Sequence, residues 1–425
     1  MTGAAGQSPS GAFDVVVIGG GVAGAACASR LAGAGARVLV LERERNFADR
    51  VRGDVMYPWG VAEARRLGLA DALAAVVRPL PYWRTHVTGL PSTRPRDLAA
   101  EGAATGADTA VAFFHPELQT ALLQAAERAG ARVVRGATVT GVRAGTAQRL
   151  LVEARTPGAG FEVGAALVIG ADGRSPRSRV WGGFKARTAE ERLKFAGVML
   201  TGAAASATSE ARDTAHVFFA PSAGLLAMVL PIDERRTRVY AGYHLATGER
   251  SLGGADALPA FLRLAEAAGV PHEWLAAAER VGPLAQFPGA DAWAANPYCN
   301  GFALVGDAAA ASDPSFGCGM ALAMRGAREL VEALLAAGSF EPAAVDAAGE
   351  AYAEATLRTG DALRRLTGWL RDVYREPGER ADALRARLWP LFARDPSRVP
   401  DVVLVGPDSP SDEAARVRFF GEDRP

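Results

Sequence analysis

The chain has 425 residues, 49% of them apolar and 22% charged, and its 47 Lys+Arg are balanced by 47 Asp+Glu. This is a globular composition with room for two or three domains, and its zero formal charge argues against a nucleic-acid or acidic-membrane partner. Three cysteines, Cys27, Cys299 and Cys318, lack metal-ligand or redox-pair spacing and fit a reducing cytoplasm rather than a disulfide framework. Nearly all the positive charge is arginine, with lysine only at Lys185 and Lys194. That reads as compositional bias more readily than as phosphate recognition.

The opening residues Met1 to Asp14 lack the basic and apolar regions of a signal peptide and read as a mobile leader. Next, "FDVVVIGGGVAGAACASRLAGAGARVLVLERE" predicts a buried strand Val15 to Ile18, a Gly19-x-Gly21-x-x-Gly24 turn, and an alanine-rich helix to Leu31. A second strand, Val38 to Leu41, ends in Glu42. Each part has a physical role. Gly19 permits the tight turn, Gly21 lets backbone approach a pyrophosphate, and Gly24 lets helix and strand pack closely. The helix N-terminus attracts phosphate, and Glu42 is placed to bond an adenosine ribose. The order predicts one dinucleotide site, with NAD and FAD both open. Arg43 suggests a 2′-phosphate, whereas Glu42 repels one. A second fingerprint and a Cys-x-x-Cys pair are both missing, which removes the disulfide-reductase class.

Arg50 and Arg52 precede a helix ending near Leu69 and are either solvated or in reach of cofactor phosphate or ribose. From about Pro116 an amphipathic helix leads into a strand through Val139. "ALVIGADGRSPRSRV" repeats the earlier logic: a buried run, Ala166 to Ile169, turns at Gly170 to Gly173. Asp172 there is either a turn residue or part of the nucleotide site. Between about Phe184 and Asp291 period-2 alternation predicts an antiparallel sheet and a second domain. The uncharged run Thr214 to Ile232 is broken by His216, Pro221 and Pro231, which makes it a poor membrane span. "GDAAAASDPSFGCGMALAMRGA", Gly306 to Ala327, is a second glycine-rich turn, opened by Asp307 and leading into a helix. After Phe340 come helices over Pro342 to Leu370 and Glu379 to Phe392, an extended proline-bearing segment and a last short helix; no chemistry is assigned there.

Three anchors, "GGGVAG…E", "GADG" and "GDAAAASDPSFGCG", stand in an order that resembles the p-hydroxybenzoate-hydroxylase-like FAD superfamily, which includes single-component flavoprotein monooxygenases. The resemblance implies an α/β fold: a Rossmann-like FAD-binding domain (1–75, 103–183, 292–340), an inserted antiparallel β-sheet substrate domain (76–102, 184–291), and a C-terminal helical region (341–425). FAD is long, so one turn holds its adenosine half and a distant segment must return for the ribityl and ring half. By resemblance the cofactor contacts are Gly19, Gly21, Gly24, Glu42, Arg43, Arg50, Arg52, His115, Val139, Asp172, Gly306, Asp307, Pro314, Gly317, Cys318, Gly319 and Met320. Asp307 matches the acid that bonds the ribityl chain, and the helix near Met320 would point its positive end at the flavin pyrimidine. Three departures stand out: His115 where many members have arginine, Ala310 where many have histidine, and Cys318 where many have glutamine. Cys318 reads as a small residue whose backbone matters.

The implied activity is insertion of one oxygen atom from O2 into a small aromatic or polycyclic molecule, through a flavin C4a-hydroperoxide with NADH or NADPH as reductant. No catalytic side chain is assigned, the chemistry being the cofactor's; Pro314 and Phe316 are expected near its reactive face. The pocket expectation is Tyr57, Trp59, Phe113, Met228, Tyr240 and Phe316, each as well explained by core packing. Partners are substrate and O2, with no metal, nucleic acid or membrane, a separate flavin reductase left open, and a monomer or homodimer in the cytoplasm. A halogenase is disfavoured because "LLAMVLPIDE" lacks tryptophans and both lysines lie elsewhere. A prenyl-chain reductase, the halogenase of the same fold and a non-enzymatic FAD-binding protein remain as alternatives. The five histidines, His86, His115, His216, His244 and His272, are scattered and read as structural.

Overall fold

A computed structural model describes residues 9, 11–91, 94–105, 108–145, 149–203, 213–248, 252 and 257–423. The expected leader lies outside this set up to residue 8, but its last residues do not: the first strand begins at Ala12. Largely apolar segments, with the arginine-ended strand Arg132–Arg135 at the edge, form a parallel sheet in the order Phe302–Leu304, Gly160–Gly170, Ala12–Ile18, Val38–Glu42, Arg132–Arg135. Such continuous apolar runs are what a doubly covered parallel sheet requires. The Val22–Gly33 helix connects the two central strands and packs on the His115–Arg128 and Gly319–Ala337 helices. Strand order therefore reverses beside Ala12–Ile18, and the crevice outside the carboxyl ends of such strands is where α/β sheets bind ligands.

The second sheet has seven strands, ordered Glu279–Gly289, Leu193–Thr201, Arg236–His244, Leu225–Pro231, Thr214–Ala220, Tyr82–Val87, Arg96–Asp97. Its pairings are antiparallel except for the parallel junction of Thr214–Ala220 with Tyr82–Val87. Alternate residues serve two cores. Ala196, Val198 and Leu200 pack with Phe261 and Leu264 of the Ala257–Ala267 helix. Phe195 and Met199 face the nucleotide-binding half. That helix, and the short His272–Leu275 turn, replace part of the all-strand pattern expected between Phe184 and Asp291; they cover the outer face that a sheet buried on both sides needs.

The C-terminal part forms the Pro342–Tyr374, Glu379–Arg394 and Glu413–Phe419 helices. The stretch between the last two runs back across the molecule. It is held there by Trp59 Nε1 donating to the Val402 carbonyl (3.1 Å), by Arg96 bonding Asp401 (2.7 and 3.2 Å) and by Arg325 bonding Asp408 (2.5 Å). Among the described residues no helix is long and apolar enough to cross a membrane.

Candidate active site

At the switch point, Gly19 takes φ +102°, a left-handed conformation that favours glycine, and its N–H bonds the Leu41 carbonyl (2.9 Å). A Cβ at Gly19 would lie 2.5 Å from the Ala171 oxygen, so the first turn packs directly on the Gly170–Gly173 turn. A Cβ at Gly24 would overlap the Gly19 carbonyl oxygen and lie 3.0 Å from Ala171 Cβ. Gly21 differs: its nearest neighbour would be Gln119 Nε2 at 3.7 Å. Space beside Gly21 is therefore open, as a ligand phosphate requires. The Val22–Gly33 helix has no side-chain cap and no acid in its first turn, so its N–H groups are not competed for by side chains. Glu42, buried at the end of its strand, accepts from Gly20 N–H and Glu44 N–H (2.7 Å each).

The other anchors supply the far end. Asp307 follows the strand Phe302–Leu304, and no donor among the described residues bonds its carboxylate. Burial raises its pKa, opposed by the charges of Arg174, Arg52, His115 and Arg179. Arg52 has no carboxylate partner among the described residues; its guanidinium lies 5.2 Å from the Phe287 ring centroid. Burial and the neighbouring Arg174 lower its pKa. An unbonded carboxylate beside an unpaired guanidinium suits a group bearing both hydroxyls and phosphates.

The loop carrying Arg52 is strained and braced. Val51 is fully buried at φ +57°, unusual for a β-branched residue, and its N–H bonds Asp49 Oδ1 (2.8 Å). Arg238, 0% exposed, bonds Asp49 Oδ2 (2.8 Å) and pairs with Asp54 Oδ2 (3.0 Å), to which the Tyr240 hydroxyl also donates (2.5 Å). Against the cost of burial, these carboxylates raise the Arg238 pKa and keep it charged. His115 Nδ1 donates to the Gly53 carbonyl (2.8 Å), and Met320 packs over Gly53. His115, Met320, Arg52 and Asp307 thus converge at one end of the crevice.

The Gly319–Ala337 helix starts at Cys318 with no side-chain cap and no first-turn acid. The Cys318 thiol is buried, donates to the Phe316 carbonyl (3.3 Å), and is pushed up by burial, so it stays protonated. Before it, Asp313 caps the Pro314–Phe316 turn through Ser315 N–H (2.8 Å), and buried Arg375 binds both Asp313 and Ser315 Oγ (3.0 Å).

The remaining residues expected at the cofactor contact other protein groups. Arg50 and Arg43 are exposed and pair with Glu44. Asp172 bonds Ser178 N–H (3.0 Å) and Ser178 Oγ. Val139 is buried in the strand Thr138–Ala144, whose entry is tied to Glu42 by the Ala137 N–H to Glu42 carbonyl bond (3.0 Å).

A cavity of about 1080 Å³ abuts the Pro314–Gly317 turn. Of the aromatic and apolar residues singled out from sequence, Tyr57, Met228 and Phe316 line it, together with Trp83, Phe219 and Ser315. Trp59, Phe113 and Tyr240 stand outside its wall. Trp59 packs against Gly406 and bonds Val402, Phe113 is a core strand residue, and Tyr240 is committed to Asp54. Leu370, Tyr374, Trp389, Phe392 and residues from Pro396 to Pro410 complete the wall, so the C-terminal region left without chemistry closes the cavity.

Two arginines were not singled out from sequence. Arg174 donates to the carbonyls of Ala290 (3.1 Å) and Ser312 (3.4 Å), and buried Arg179 to those of Ala308 (2.8 Å) and Asp307 (3.4 Å). They tie the second anchor to the third. Both were visible in "GADGRSPRSRV", but their acceptors are backbone groups more than a hundred residues away and leave no sequence signal.

The family described as FAD binding domain matches residues 12–363. Among curated proteins, the menaquinone reductase of Mycolicibacterium smegmatis is 31% identical over 344 residues, covering 76% of this chain and 77% of that protein. The squalene epoxidase of Schizosaccharomyces pombe is 36% identical over 63 residues, and the chain spans only 14% of its length. Among solved structures, p-nitrophenol 4-monooxygenase from Pseudomonas putida superposes with TM-score 0.73 at 19% identity, over 91% of this chain and 95% of that one. The chain belongs to the FAD binding domain family and is an FAD-dependent oxidoreductase, with a fold shared with p-nitrophenol 4-monooxygenase.

Proposed function

We propose that this oxidoreductase is a monooxygenase that inserts one oxygen atom from O2 into a small aromatic or polycyclic molecule, with NAD(P)H as electron donor. One observation carries the reading: Ser315 and Phe316, in the turn resembling the one that faces the flavin, also line the large, mostly apolar cavity.

FAD, when bound, supplies the redox chemistry, taking electrons from NAD(P)H and passing them to O2. The chain's own groups bind and shield. The Gly19–Gly24 turn and Arg52 would hold the phosphates, Glu42 the adenosine ribose, and Asp307 the ribityl hydroxyls. The uncapped first turn of the Gly319–Ala337 helix offers N–H groups and a positive dipole end to negative charge on the ring system. The aromatic walls of the cavity exclude water and hold substrate against the Pro314–Gly317 turn. A cytoplasmic setting suits the free thiols of Cys27, Cys299 and Cys318.

The extended similarity to a menaquinone reductase favours a second reading, saturation of a double bond in a prenyl chain. The two separate under heavy-isotope O2 with NADPH and a panel of polycyclic and prenylated quinones and phenols, read by product mass. Incorporated heavy oxygen supports the monooxygenase. A product that gains two hydrogens and forms equally well without oxygen overturns it in favour of the reductase.

A further inference from the structure

We infer that the cavity takes a neutral molecule larger than one ring and bearing a carbonyl or hydroxyl oxygen, and that the Tyr57 hydroxyl fixes this oxygen beside the Ser315–Gly317 turn. The inference rests on reading the cavity as the substrate chamber. At about 1080 Å³ it reaches the top of the usual range for ligand pockets, about 300–1,000 Å³. A single-ring molecule would leave most of it empty.

Arg96 on its wall pairs with both Glu101 and Asp401, and Arg94 is exposed to solvent. The wall around Phe316, built from Trp83, Val217, Phe219, Met228 and Leu370, carries no ion. A charged ligand there would lose its hydration without gaining a counter-ion.

The wall's hydroxyls are mostly committed as well. Ser315 bonds Asp313, Ser397 bonds Asp395, and Ser409 bonds the Asp401 carbonyl. The hydroxyls of Tyr57 and Tyr374 and the indole N–H groups of Trp83 and Trp389 have no partner among the described residues, and every one can donate. Tyr57 is the one placed at the turn: a Cβ on Gly317 would lie 2.6 Å from its oxygen. Its ring, 2% exposed, is fixed edge-on against Trp83 at 5.2 Å. Its hydroxyl stands on the cavity wall without an acceptor among the described residues and is free to donate to a ligand oxygen.

The test is calorimetric titration of the oxidised, FAD-loaded protein with fluorenone, its parent hydrocarbon fluorene, and benzoate. Fluorenone should bind roughly 5–10-fold more tightly than fluorene, one hydrogen bond's worth, and benzoate least. Tyr57→Phe should bring fluorenone to the level of fluorene while leaving fluorene binding, the flavin absorbance and the melting temperature unchanged. A fluorenone preference that survives Tyr57→Phe, tighter binding of benzoate, or no binding of either tricyclic probe overturns the inference. The titration holds no reductant and reads binding alone; once NADPH and O2 are added, bound probes that are never oxygenated would count against the monooxygenase reading alone. Oxygenation with an unaltered preference in Tyr57→Phe would count against this inference alone.

Discussion

A single methyl group separates what the protein needs in its first turn from what the cofactor needs. In Gly24→Ala the new Cβ overlaps the Gly19 carbonyl oxygen and sits 3.0 Å from Ala171 Cβ and 3.1 Å from Val17 Cγ1. None of these can yield freely. Gly19 is pinned by its bond to Leu41, and Ala171 by its N–H bond to Ile18 (2.8 Å). Overpacking of this kind costs about 1–3 kcal/mol, and the upper end is expected because backbone must move. In Gly21→Ala the backbone, at φ −70° and ψ −172°, already suits an L-residue, and the nearest protein atom is 3.7 Å away. The apoprotein should lose less than about 1 kcal/mol, the difference between glycine and alanine at a helix N-cap. The same methyl fills the space where a pyrophosphate must approach, so FAD affinity should fall at least ~10-fold, about 1.4 kcal/mol. Urea denaturation of the apoproteins and fluorescence titration with FAD read the two effects separately. A Gly21→Ala protein that binds FAD as wild type does would refute the placement of the phosphates.

Asp307→Asn should leave the fold intact and weaken FAD by ~10–100-fold, the worth of a charge-assisted hydrogen bond of about 1.5–3 kcal/mol; unchanged affinity in the same titration would remove Asp307 from the site. Arg238→Met strands Asp49 and Asp54 without their counter-ion and should cost about 3–5 kcal/mol in urea unfolding, whereas a loss under ~1 kcal/mol would show that the network is dispensable. Burial lowers the pKa of His86 to about 4 and of His216 to about 3, from 6.5, with Arg84 and, for His216, His86 adding to it. Both histidines stay neutral in the folded chain while the unfolded chain takes up protons below pH 6.5, so stability is fully present above that pH and falls as pH drops toward 4. Melting temperatures at neutral and acid pH should show this loss, and His216→Phe should reduce it; an equal loss in the variant would place the acid sensitivity elsewhere.

The nucleotide-binding half was legible because its signals are local. The strand, turn, helix and strand around Gly19 to Glu42 each carry their own pattern, and the turns at Gly170 and Gly306 announce themselves by glycine and acid alone. Contacts between distant segments were not. Nothing in the spacing of Arg174 and Arg179 tells that they grip carbonyls near Asp307, and nothing around Arg238 tells that it anchors the loop of Arg52. Trp59 and Tyr240 looked like pocket aromatics by residue type, yet each polar atom is taken up by the protein itself. The wall from Pro396 to Pro410 carries no chemical signal in the sequence, since an irregular apolar segment has no period to reveal what it covers.

The most direct measurement is an equilibrium titration of the apoprotein with FAD, with NAD as the competing dinucleotide, followed by anaerobic addition of NADPH and then O2. One FAD per chain, held against excess NAD, reduced by the nicotinamide and reoxidised by O2, is the expected result. A chain that binds NAD in preference to FAD, or a bound flavin that neither NADPH nor NADH reduces even with the tricyclic probes present, would contradict a site built to hold FAD at both ends for oxygen chemistry.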